Sequence, residues 1–251
     1  MQEDLQPLIE HLIELRSRLV RASAVLLVVF LALFPWSKDL YHILALPMLQ
    51  AMKAGSQMIA TDVTATFFVP LKVTAMAAFL ITLPHTLYQA WAFVAPGLYQ
   101  HEKRLVLPLI ASSFCLFAIG MAFAYFLVFP VVFGFMNAAT PEGVAMMTDI
   151  EKYLGFVLGM FLAFGVTFET PVVVVVLVRM GIVSVAKLRE ARPYVIVGAF
   201  VIAAIVTPPD VLSQTMLAVP LWLLYELGVL VAAWMTSGKA AADAEPSSTE
   251  Q

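Results

Sequence analysis

Six apolar runs dominate the chain: about Ala22 to Trp36, Val73 to Ala95, Leu105 to Met136, Tyr153 to Val178, Tyr194 to Val206 and Val211 to Trp234. A helix needs about 20 residues to cross the roughly 30 Å hydrocarbon core of a bilayer, and a backbone in lipid has to satisfy its own hydrogen bonds. The runs therefore predict an all-α integral membrane protein with six transmembrane helices. Composition agrees, with 62% of residues hydrophobic and 12% charged, against about 25% charged in soluble domains. The fifth run is short, reaching only roughly 20 Å as a helix, so it and the sixth are expected to thin or deform the bilayer. Between them lies only "TPPD", Thr207 to Asp210, whose prolines end one helix and start the next.

Sidedness follows from the cations. Arg16, Arg18, Arg21, Lys103, Arg104, Arg179, Lys187, Arg189, Arg192 and Lys239 fall on one side of this topology, and only Lys38, Lys53, Lys72 and Lys152 on the other. The positive-inside rule then puts both termini in the cytoplasm. Residues 1–20 read as a cytoplasmic amphipathic helix, with Leu5, Leu8, Ile9, Leu12, Leu15 and Leu19 at helical spacing. No signal or transit peptide is expected there, because acidic residues precede the first run and no small-residue cleavage pattern follows. Residues 21–235 form the transmembrane domain, and the small, acidic stretch 236–251 reads as a disordered cytoplasmic tail. The outer loop Ser37 to Lys72 is expected to cap the external face, Pro84 and Pro130 to kink their spans, and Cys115 to be a packing residue.

Several classes of function are excluded. A net charge of −3 with scattered cations offers nothing to nucleic acid. The histidines His11, His42, His85 and His101 lack paired ligand spacing, so neither metal nor cofactor is expected. Neither H-E-x-x-H nor G-x-S-x-G occurs, which leaves an intramembrane enzyme without a catalytic set. No internal repeat of the transporter kind is visible.

Carboxylates remain. Glu169 lies inside the fourth run, where a charge near the bilayer centre costs about 2.5–3.5 kcal/mol and marks a functional group by default. Gly155, Gly159 and Val166 share its helical face, with Gly165 at the margin, a surface suited to close approach by another helix or chain. The structural alternative for Glu169 is a hydrogen bond to Gln89 or Gln214. Glu226 reads as a snorkelling or wet-edge group. On the cytoplasmic side Glu14 and Glu102 face two readings. Either they pair locally, Glu14 with Arg18 at i,i+4 and Glu102 with Lys103 or Arg104, or, backed by Phe93 and Tyr99, they receive a peptide carrying two guanidinium groups.

At these residues the chain resembles the TatC family of the twin-arginine protein translocase. The stretches that carry the resemblance are "PLIEHLIELRSRLV", "MIATDVTATFFVPLK", "YQAWAFVAPGLYQHEKR", "FAIGMAFAYFLVFPVVFGF", "AFGVTFETPVVVV", "RPYVIVGAF" and "TPPDVLSQTMLAVPLWLLYE", in order over nearly the whole length. The resemblance implies a concave, glove-like arrangement of the six helices in the bacterial inner membrane. It implies a core receptor subunit, present in several copies, that binds the twin-arginine signal of folded precursors and, with the single-span TatA and TatB, supports export driven by the protonmotive force. By similarity Glu14 and Glu102 contact the signal, and Arg16, Phe93, Leu98, Tyr99 and Arg104 shape that site. Glu169 faces the concave surface, Pro47 and Asp210 act in transport on the external side, and Thr207 and Gln214 belong to the partner-helix region. Ala204 stands where some relatives carry a larger residue. The alternative is a proton-coupled small-molecule transporter using Glu169.

Overall fold

The computed structural model describes residues 5–51, 57–94, 103–141, 147–207 and 210–242, whose regular structure is helical apart from one pair of short strands. The chain divides into two compact units, one up to Leu162 and one from Ala163.

In the first unit, α1 (Leu5–Leu33) is one continuous helix. The amphipathic stretch and the first apolar run are thus a single element, since neither Gly nor Pro separates them. A 3₁₀ turn at Phe34–Trp36, carrying Pro35, leads into α2 (Ser37–Ala51). Residues expected as an outer loop are therefore largely helical, continuing into β1 (Gln57–Ile59) and the first turns of α3 (Ala65–Val94). The physical reason is amphipathicity: Leu40, Tyr41 and Leu44 lie one turn apart and pack on the buried Val69, Val73 and Leu154. Hydroxyls inside α3 are satisfied locally, Thr74 donating to the Pro70 carbonyl at 2.8 Å and Thr82 to that of Ala78 at 2.9 Å.

The third apolar run is α4 (Lys103–Phe123), a π turn (Ala124–Val128) and α5 (Phe129–Ala139). The π turn directly precedes Pro130, which has no N–H to offer the Phe126 carbonyl, so the wider turn sits where the helical ladder loses a donor. Phe129 anchors the core here, its ring tilted against those of Phe133 and Phe161 with centroids 5.7 and 5.1 Å away. After α5, β2 (Met147–Asp149) runs parallel to β1 in the register Gln57 to Met147, Met58 to Thr148 and Ile59 to Asp149. It leads straight into α6 (Ile150–Phe168). Cys115, expected in the packing, is exposed.

The second unit holds the end of α6, then α7 (Thr170–Arg179), α8 (Val185–Val206) and α9 (Val211–Ala242), with α9 packed on both α7 and α8. The fourth run, expected as one helix, breaks at Glu169. Pro171 cannot donate to the Thr167 carbonyl, and the Thr170 hydroxyl takes that acceptor at 2.6 Å. Gly181, at φ +70°, ends α7 in the left-handed conformation that glycine adopts freely, with Ile182 N–H returning to the Leu177 carbonyl at 3.1 Å. Ser184 caps α8 by accepting from Lys187 N–H. Although α8 is 22 residues long, its first turns carry Lys187, Arg189, Glu190 and Arg192. Five helical stretches of the described residues are long and apolar enough to cross a membrane, and α8 is not among them. Helix α9 continues to Ala242, into the stretch expected as a disordered tail.

At the heart of this unit Gly228 meets α7. A Cβ there would lie 2.8 Å from Pro171 Cα and 3.0 Å from Val174 Cβ, so the two helices touch through backbone. Around it Val174, Leu188, Tyr225, Val229 and Ala232 form a buried cluster, and the Tyr225 hydroxyl donates to the Leu188 carbonyl at 2.7 Å.

Candidate functional site

The side of α1 that carries His11, Glu14 and Arg18 lies along α3, while Ile9, Leu12, Leu15 and Leu19 of its apolar stripe are exposed, and that contact organises the predicted receptor residues. Arg18 donates from both Nε (2.8 Å) and Nη2 (2.5 Å) to the same oxygen of Glu14, Oε1, while Nη1 reaches Gln89 Oε1 on α3 at 3.3 Å. Gln89 is buried and its amide lies 3.4 Å from His85 Nε2. One turn before Glu14, the His11 ring stacks on Phe93 with centroids 4.2 Å apart. The i,i+4 pairing of Glu14 and Arg18 read from the sequence is thus present, and it is more than a local pair because Arg18 ties α1 to α3. Arg18 is the more enclosed partner, its side chain 20% exposed against 40% for Glu14. Arg16 is exposed beside them. Leu98, Tyr99 and Glu102 lie outside the described residues, as do the contacts predicted for Arg104, which falls in the first turn of α4.

Glu169 occupies the joint between α6 and α7, half-buried, with both carboxylate oxygens inaccessible. Gln89 and Gln214, its predicted partners, are engaged elsewhere: Gln89 with Arg18, and Gln214 with the Phe200 carbonyl at 3.3 Å. Gly155 and Gly159 are exposed, and a Cβ added at either would meet nothing within 4 Å, so no described helix takes up the close approach their face permits. Pro47 is buried in α2. Thr207, Asp210 and Gln214 gather where α8 gives way to α9. Thr207 ends α8, its N–H and hydroxyl both returning to the Ala203 carbonyl, and Asp210 caps α9 by accepting from Ser213 N–H at 2.7 Å. Ala204 is exposed on α8.

Sequence reasoning misses three features. Glu226 does not snorkel freely; Arg192 Nη2 donates to its Oε2 at 2.7 Å, closing α8 onto α9. Gly228 is legible there only as one glycine among several. Asp149 is the most heavily bonded carboxylate among the described residues: Oδ2 accepts from Thr61 hydroxyl (2.5 Å) and N–H (3.1 Å), and Oδ1 from Glu151 and Lys152 N–H (2.9 and 3.0 Å). The Thr61 hydroxyl first, then the Lys152 N–H and the remaining amides, hold its pKa down to about 2. Its signal was available in "TDIEK", an Asp followed by an acidic first turn ahead of an apolar run. Asp62 makes a smaller version at the start of α3, where Thr64 N–H and hydroxyl lower its pKa. No group of His, Cys, Asp or Glu among the described residues is arranged to hold a metal ion.

Comparison with known proteins places this architecture. A family model described as "Sec-independent protein translocase protein (TatC)" matches residues 10–220. The chain is similar to the Sec-independent protein translocase protein TatC of Azotobacter chroococcum mcd 1, 56% identical over 227 residues that cover 90% of this chain and 89% of the relative. It is 55% identical over 227 residues to that of Escherichia coli (strain K12), covering 90% and 88%. Among solved structures it resembles one described as "Crystal Structure of Twin Arginine Translocase Receptor- TatC in DDM", with a TM-score of 0.78 and 37% identity, covering 88% of this chain and 99% of that one.

Proposed function

Because the chain belongs to the TatC family, and so is a subunit of the Sec-independent protein translocase with a transport role and no enzymatic one, we propose that the face of α1 against α3 receives the twin-arginine signal of folded precursor proteins. The observation that carries this reading is Glu14, a carboxylate fixed in place at a helix–helix contact instead of on a mobile surface chain. Both Arg18 nitrogens use Oε1, so an incoming guanidinium can start on Oε2 and take both oxygens as it displaces Arg18. A peptide arginine that engages the carboxylate through both oxygens gains a charge-assisted, geometrically specific contact, and Glu102 supplies the second. The solved relatives are described as twin-arginine translocase receptors, which supports the same role here.

In this reading both termini face the cytoplasm of a bacterial inner membrane, several copies work together, and the single-span TatA and TatB join at the α8–α9 end around Thr207 and Gln214. Transport draws on the protonmotive force. Glu169 offers a polar floor to the inserting signal or to a polar residue of a partner; the small-molecule transporter alternative loses support to the family assignment. The short apolar part of α8 thins the bilayer locally. Adding several leucines to it should leave signal binding intact and impair export, and unchanged export would sink that part of the proposal.

The receptor role is tested by crosslinking a twin-arginine precursor peptide to the membrane-embedded protein, with Glu14→Ala and Glu102→Ala in parallel. Each variant is expected to lose most of the adduct. Equal crosslinking in all three refutes the assignment.

A further inference from the structure

Two cavities open side by side in the first unit. One, of ≈ 350 Å³, is lined by side chains such as Leu44, Met76, Leu80, Met121, Phe126 and Phe161. Among the described residues on its wall, the one hydroxyl is that of Tyr125, and it is spent on the Ile43 carbonyl at 2.8 Å. The second, of ≈ 550 Å³, is bounded by Pro47, Gln50, Pro130 and Gly134. Tyr125 and Phe126 line both, so the two adjoin at this pair. Both residues belong to the π turn, a local widening of the helix that recurs at functional sites, and Phe126 stands at the rim, 70% exposed.

Polarity changes from one cavity to the next as it does across half a bilayer. Leu80 is roughly 22 Å along α3 from its start at Ala65, deep in the span, whereas Gly134 is roughly 8 Å from the end of α5. Gln50, exposed in the last turn of α2, brings an amide to the shallow end. We propose that these cavities hold a phospholipid of the surrounding membrane, one acyl chain in the apolar well and the headgroup end at Gln50. Water is a poor occupant of the well because it needs two to four polar partners. A polypeptide strand would bring unsatisfied backbone groups, and a helix about 10 Å across does not fit the volume. Hydrocarbon meets neither objection: an apolar cavity of about 150 Å³ takes up benzene, so this one accommodates on the order of a dozen chain carbons. The site stands apart from the signal-binding reading, and it gives Pro47 a physical setting, at the mouth of a lipid cavity.

The experiment uses the full chain reconstituted in phosphatidylglycerol that carries a diazirine midway along one acyl chain, with adducts mapped by peptide mass spectrometry. Labelling at Met76, Met121 and Phe126 should exceed that at the bilayer-facing Leu223 and Val197 at least five-fold. Ala77→Phe, which fills the well, should abolish that excess and leave Leu223 labelling unchanged; Met121→Trp serves the same purpose should the first variant fail to fold. No excess in the native chain, or an excess that survives both substitutions, overturns the proposal. So does protein–protein crosslinking instead of lipid adducts when photo-methionine replaces Met121.

Discussion

Each unit has one contact that joins distant segments tightly, and the two contacts work by opposite means. At the β1–β2 end of the first unit, Asp149 gathers four hydrogen bonds from Thr61 and the start of α6. In the second unit α7 and α9 meet at Gly228 through apolar contact, backbone against backbone. The difference follows the solvent. Within lipid, burying apolar surface between helices gains little because the tails are equally apolar, so association relies on close packing and small residues. Outside it, a carboxylate can be fully satisfied by amides and hydroxyls and then fixes chain segments far apart in sequence.

Gly228 breaks this comparison most directly. Gly228→Ala places a Cβ inside the contact distance of Pro171 backbone, which cannot rotate away, and overpacking of this kind costs about 1–3 kcal/mol. In a chain of this size that lowers Tm by about 2–10 °C, read by thermal unfolding in detergent. Gly155→Ala and Gly159→Ala are the counter-test. With nothing within 4 Å, they should be neutral or stabilise by about 0.5–1 kcal/mol through helix propensity. If all three behave alike, close packing is not what holds α7 to α9.

The polar end answers to pH. Asp149 has its pKa lowered from 3.8 to about 2 in the folded chain, so its contribution is fully present above about pH 4 and is lost as pH falls through about 2. Thermal unfolding of the native chain should show this decline between those limits, and Asp149→Asn should flatten it. Asp149→Ala should lower Tm at neutral pH more than Asp149→Asn, because asparagine still caps α6, and the drop should be smaller than that of Gly228→Ala. A native profile no steeper than that of Asp149→Asn contradicts the assignment.

The same division explains what the sequence could show. Span positions, the short fifth run and the Glu14–Arg18 pair rest on periodicity and i,i+4 spacing, which are local and legible. The helix α2 is hidden because its apolar run is short and follows Pro35, so it resembles a loop. The break at Glu169 is half visible: Pro171 announces a lost hydrogen bond, but only the Thr170 hydroxyl's position shows how the chain absorbs it. Contacts between residues distant in sequence, Thr61 with Asp149, Arg192 with Glu226, Gly228 with Pro171, leave no periodic trace. The cavity beside Tyr125 is of the same kind, made by four helices and one π turn.

Arg192 and Glu226 sharpen the comparison from inside the second unit, where they join α8 to α9 as an ion pair. Their side chains are 43% and 19% exposed, so the pair is worth less than a buried one and more than a free surface pair. A double-mutant cycle with Arg192→Leu and Glu226→Gln should give a coupling of about 0.5–1 kcal/mol, read from Tm shifts. Coupling near zero would mean that the ion pair adds nothing to the hold of α8 on α9.

Arg18 is the smallest effect and the one closest to function. Like Asp149 it joins separate helices through polar bonds, but its partner is the very carboxylate proposed to receive a signal arginine, and the pair is only partly enclosed. An i,i+4 pair of this exposure stabilises by about 0.3–0.5 kcal/mol, little enough for an incoming guanidinium to displace. Bidentate capture needs both oxygens of Glu14, so the peptide has to displace Arg18 from Oε1. Arg18→Gln removes that competition and should tighten binding of a twin-arginine peptide about two-fold in a fluorescence titration, with Glu14→Ala abolishing the gain. If Arg18→Gln weakens binding instead, Arg18 orients Glu14 for the signal and does not compete with it, and the polar contact between α1 and α3 is a permanent one like that of Asp149.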